Sequence, residues 1–154
     1  RDWSVTGVQT CALPICIAAL QRPQPRLALG RALRGVASAM LDVSDGLLGD
    51  LRHILERSHT GALIETAALP LARLLATGAD PVLCRHCLLA GGDDYELLFC
   101  AATAQRDTVR ALATELELPV HRIGSLTADS GSIHMREADG TLAPLAPSGY
   151  DHFA

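Results

Sequence analysis

AMLDVSDGLLGDLRHILER, residues 39–57, changes its period half-way along. The first part, 39–43, is a short apolar run that ends at Asp42 and Val43, as a buried strand does. Ser44-Asp45-Gly46 then interrupts it. From 47 to 57 the apolar residues Leu47, Leu48, Leu51, Ile54 and Leu55 recur on one broad helical face. The stretch therefore predicts a strand, a tight turn and an amphipathic helix, with Ser44 or Asp45 as the helix cap. Asp50, one turn in, reads as a first-turn acid that favours the helix dipole.

Working outward, QRPQPR at 21–26 reads as extended or turn structure because of Pro23 and Pro25, and a short helix is expected over 29–36. Downstream, strands are expected at 62–66, 95–101, 120–126 and 132–136. Helices are expected at 71–76, 81–89 with Pro81 in the first turn, and 103–116 with Thr103 as cap. Asp139-Gly140 is a hairpin-type signal. Helices and strands alternate, and the last part is strand-rich. The expected fold is an α/β (α+β) sandwich, a mixed sheet covered by helices.

The chain has 154 residues, 49% hydrophobic and 19% charged, enough for one domain with a real core. With only 3% aromatic residues, Leu, Ala, Val and Ile must build that core. A formal net charge of -4 argues against non-specific nucleic-acid binding, which needs a basic surface. It does not argue against a phosphate ligand, because metal ions can bridge carboxylates to anions. No run approaches the roughly 18 apolar residues of a membrane span. The 5 cysteines are odd in number and scattered, unlike a disulfide-stapled secreted scaffold. The expected setting is cytoplasmic and reducing.

Three constellations carry candidate chemistry. In Asp42-Val43-Ser44-Asp45-Gly46, two carboxylates flank a strand-to-helix turn and can converge on one cation. Mg²⁺ is usually held by one or two carboxylates plus substrate phosphates. Ser44 can donate to a phosphate oxygen, and unpaired N–H groups are expected at the helix start. A solvated turn with Asp and Ser as caps fits the same residues. In Gly91-Gly92-Asp93-Asp94-Tyr95-Glu96, paired glycines permit close backbone approach, and three carboxylates precede a buried strand. Within that strand Asp94 and Glu96 would share one face and Tyr95 the other. A polar turn feeding an alternating strand is the plainer account. In Gly149-Tyr150-Asp151-His152-Phe153, Tyr150 can stack on a planar ring, while tail docking suits His152 and Phe153.

Cys84-Arg85-His86-Cys87 has metal- or redox-like spacing. No second ligand pair follows it, and it sits in an apolar helical run, where cysteine acts as a small hydrophobe. Walker-type, dinucleotide-type and nucleophile-elbow glycine motifs are all missing from the sequence.

Residues 5–15, VTGVQTCALPI, resemble a translated sequencing adapter. Residues 1–15 are accordingly set aside as an artefact, 16–28 read as a linker or remnant, and 29–154 as the domain, with an N-terminal domain expected upstream.

LDVSDGL, GGDDYELLF and GYDHF, in that order, resemble the signatures of the thiamine-monophosphate kinase family, and SHTGALIETAALP resembles it too. The resemblance runs over 21–153. It implies the C-terminal domain of the aminoimidazole ribonucleotide synthetase superfamily, in a two-domain homodimeric enzyme. That enzyme moves the ATP γ-phosphoryl group onto thiamine monophosphate with the help of Mg²⁺. By the resemblance, Asp42 and Asp45 take metal-binding places, Ser44 an ATP-contacting place, and Asp93 and Tyr150 substrate-contacting places. The family usually has Glu where this chain has Asp93, which shortens the reach of that contact. With the N-terminal domain missing, the 154-residue chain is expected to be inactive. The alternatives are another small-molecule enzyme of the same superfamily, or a non-catalytic module that binds thiamine phosphates.

Overall fold

The structure is a computed structural model and describes residues 21–92 and 95–145. The adapter-like run, Asp93, Asp94 and the terminal GYDHF lie outside the described residues.

The elements follow in the order α1 (Leu27–Ala32), β1 (Ala37–Asp42), α2 (Leu47–Ser58), β2 (Gly61–Glu65), α3 (Leu71–Leu75), α4 (Pro81–Ala90), β3 (Leu97–Ala101), α5 (Arg106–Glu115), β4 (Gly124–Thr127), β5 (Ile133–Arg136) and β6 (Leu142–Pro144). Each expected helix and strand is present, with ends shifted by a few residues. The largest shifts are four residues, at β4, which starts at Gly124 rather than 120, and at α1, which ends at Ala32 rather than 36. The expected helix from Thr103 opens instead as a 3₁₀ turn, Thr103–Gln105, without a side-chain cap.

Two sheets form. β1 and β3 pair antiparallel, and the second sheet has the order β4-β2-β5-β6. In it β2 runs parallel to β5 and antiparallel to β4, and the Asp139-Gly140 turn joins β5 to β6 antiparallel. The alternation of β2 and β5 places Ala62, Ile64, Ile133 and Met135 on the inner face. Against that face pack Leu48, Leu51 and Leu55 of α2 and Leu89 of α4, forming one core cluster with Leu69. Helices thus cover one face of a mixed sheet, as the period change predicts.

The start of α4 is set locally. Pro81 stands at the first position, and the Asp80 carboxylate accepts from the Leu83 N–H at 2.9 Å. Cys84 is buried in this helix as a hydrophobe.

Arg85 on α4 reaches across to Glu137, just past β5, and its guanidinium also contacts the Met135 sulfur at 2.8 Å. The hydrogen bond from Arg85 holds the Glu137 carboxyl below its ordinary value. A lowered carboxyl contributes stability that is present above the unfolded value, roughly 4.3, and is lost as pH falls through the folded value. The urea midpoint of the wild-type chain should therefore fall more steeply from pH 5 to pH 3 than that of Glu137→Gln, with the two converging at the acid end. Parallel curves would show that the pair adds nothing.

Candidate functional site

The site grows from the far end of β1. Asp42 pairs with Leu97 at the start of β3, and the antiparallel pattern then continues past both strands. The Val43 N–H donates to the Glu96 carbonyl at 2.8 Å, and the Tyr95 N–H donates to the Val43 carbonyl at 2.9 Å. The DVSDG turn and Tyr95-Glu96 of the GGDDYE segment, remote in sequence, thus lie side by side.

Two glycines make the approach close enough. A Cβ on Gly92 would stand 2.3 Å from the Ser44 carbonyl oxygen, so only a hydrogen fits there. Gly46 has φ +97, where L side chains are strained, and a Cβ on it would sit 2.9 Å from the Ala90 backbone. Tyr95 also has a left-handed backbone, φ 52. Strain of this kind in a side-chain-bearing residue collects at functional loops.

The turn itself departs from expectation. The cap of α2 is Gly46, with no side-chain cap bond from Ser44 or Asp45. Their N–H groups donate instead to one oxygen of Asp50, at 2.9 Å and 3.0 Å. Asp50 is only 4% exposed. These two N–H groups, which precede the helix start at Leu47, are therefore already used, which disfavours an anion at them. Asp50 does more than the helix-dipole reading gave it, since it accepts from both N–H groups of the turn. Its place six residues after Ser44, one turn into an amphipathic helix but on the buried side, was the signal available.

Asp42 is exposed and Asp45 half-buried. Neither carboxylate makes an ion pair among the described residues. Both are thus available to a ligand. No three His, Cys, Asp or Glu side chains among the described residues gather into a metal-holding group. Two carboxylates fit Mg²⁺, which completes its shell with water and substrate phosphates.

Glu96 does not join the acidic cluster. Arg26 grips it with both arms, Nε to Oε2 at 2.9 Å and Nη2 to Oε1 at 2.6 Å. Tyr95 and Glu96 also precede β3 rather than lying within it, while Asp94, the other residue of the expected face alternation, lies outside the described residues. Arg26 ties the proline-rich segment to the site loop, a contact between residues 70 apart that no local pattern shows.

Residues 17–136 match the family model for the AIR synthase related protein, C-terminal domain. The chain belongs to that family. Among curated relatives, the thiamine-monophosphate kinases of Escherichia coli (strain K12) and Haemophilus influenzae are 40% and 39% identical over 134 residues. The match covers 86% of this chain and 41% of each relative, so the chain spans well under half their length. Among solved structures, the thiamine-monophosphate kinase of Stenotrophomonas maltophilia is 47% identical, with a TM-score of 0.69 over 82% of this chain and 39% of that one. AaThiL, complexed with AMPPCP and TMP, is 27% identical, with a TM-score of 0.69 over 91% of this chain and 41% of that one. The expected α+β fold of the superfamily's C-terminal domain is thus the fold found. No described helix is long and apolar enough to cross a membrane.

Proposed function

We propose that this chain is the C-terminal part of a thiamine-monophosphate kinase. In the complete protein, an oxygen of the thiamine monophosphate phosphate attacks the γ-phosphorus of ATP. The bond to the β-phosphate breaks, and thiamine diphosphate and ADP leave. The observation that carries this reading is the joining of the DVSDG turn to Gly92, Tyr95 and Glu96, with Asp42 and Asp45 in no ion pair among the described residues. The curated relatives and the AMPPCP and TMP complex of AaThiL support it.

Asp42 and Asp45 would hold Mg²⁺, which when bound neutralises charge between two polyanions. Ser44 would donate its hydroxyl to an ATP phosphate oxygen. Asp93 and Tyr150 would contact the thiamine body. The acceptor phosphate is already anionic, so no strong general base is required, and the work is positioning. The complete protein would be a cytoplasmic homodimer. The chain alone, which spans 41% of its relatives, would be inactive.

The test is a chimera. Residues 21–154 replace the matching part of the Escherichia coli enzyme, and thiamine diphosphate formation is followed with ATP and thiamine monophosphate. The expected outcome is activity in the chimera, none in this chain, and loss in the chimera carrying Asp42→Asn. A folded chimera with no turnover would sink the proposal, as would full activity in its Asp42→Asn form.

A further inference from the structure

Asp50, in the first turn of α2, has no role in the reaction just described. It is 4% exposed, and no other charged side chain among the described residues is classed as buried. A carboxylate withdrawn from water needs hydrogen bonds or an opposite charge. Asp50 has the hydrogen bonds, from the Ser44 and Asp45 N–H groups to the same Oδ2. Bonds to an ionised acceptor are stronger than neutral ones. No basic side chain pairs with it among the described residues. Residues 42–51 hold three aspartates and no Lys or Arg, and Arg52 is engaged by Glu56 at 2.6 Å. The turn therefore concentrates negative charge that no ion pair among the described residues offsets.

Resting on the reading that Asp42 and Asp45 hold a divalent cation, we propose that Asp50 is the positioning residue of that site. Its carboxylate draws the Ser44 and Asp45 N–H groups inward and adds its own charge behind the turn. The two outer carboxylates then face a cation, and no backbone donor at these two positions is left for an anion. A bound cation in turn offsets the cost of burying Asp50.

The test uses the 154-residue chain with Mn²⁺ as the probe. Affinity is read by electron paramagnetic resonance, and the Ser44 and Asp45 amides by nitrogen-15 NMR. D50N keeps an oxygen acceptor in place and removes the charge, whereas D50A removes both. D50N should keep both amides protected and weaken Mn²⁺ binding roughly 3–10-fold, the scale of one nearby charge screened almost as in bulk water. D50A should lose the protection and weaken binding further. Folded D50N with wild-type Mn²⁺ affinity overturns the proposal while leaving the cation reading intact. No Mn²⁺ binding by the wild-type chain, with both amides protected, overturns the cation reading and leaves Asp50 a structural carboxylate. If D50A does not fold, D50N still decides.

Discussion

Gly92→Ala is expected to lower the stability of the chain by about 1–3 kcal/mol, the usual cost of forcing a methyl into filled space. The reason is contact with backbone rather than with a movable side chain. The new Cβ would stand 2.3 Å from the Ser44 carbonyl oxygen, and neither partner can rotate away. Relief requires the GGDDYE segment to separate from the DVSDG turn. That movement would break the Val43–Glu96 and Tyr95–Val43 hydrogen bonds next to it, at 2.8 Å and 2.9 Å. The urea midpoint should fall, and Mn²⁺ affinity should fall with it even where the chain remains folded. A Gly92→Ala chain with unchanged midpoint and unchanged Mn²⁺ binding would mean that the two motifs are not held in contact. An exposed glycine in open space, such as Gly78, offers no comparable clash.

Asp42→Asn and Asp45→Asn should each weaken Mn²⁺ binding by about tenfold or more, which is ~1.4 kcal/mol, and together abolish it. Neither should cost much folding stability. Asp42 is exposed, and neither side chain forms an ion pair among the described residues. Without metal, removing one of three clustered negative charges should leave stability unchanged or raise it slightly, since like charges repel. Thermal melts of the chain with and without Mn²⁺ measure both effects at once. Wild type should gain several degrees with saturating cation, because a ligand that binds only the folded state stabilises it. The double variant should gain none. A shift in the double variant equal to that of wild type would place the cation elsewhere.

Much of the fold was legible before any coordinates. The apolar face of α2 and the Pro81 start of α4 follow from contacts within one or two helical turns. The Asp139-Gly140 turn before β6 needs only the conformational tolerance of its own residues. The two acidic motifs were legible too, as unusual densities of carboxylate beside glycine. Where expectation failed, the failure was one of partners. Ser44 and Asp45 have the chemistry of helix caps, but the acceptor that takes their N–H groups is Asp50, whose buried orientation depends on α2 lying on the core. Glu96 looked like a third acid in the cluster, and Arg26 removes it from 70 residues away.

The sequence by itself thus determined the elements, the α+β class and the candidate residues Asp42, Ser44, Asp45 and Asp93, because propensity, periodicity and turn chemistry act over a few residues. Tertiary structure decided that β2 lies parallel to β5 and that Gly92 seats against Ser44. It also decided which of the clustered acids are spent in internal hydrogen bonds and which remain available. Those outcomes are long-range contacts, fixed by how the helices and sheets close around a common core, and no local pattern encodes them.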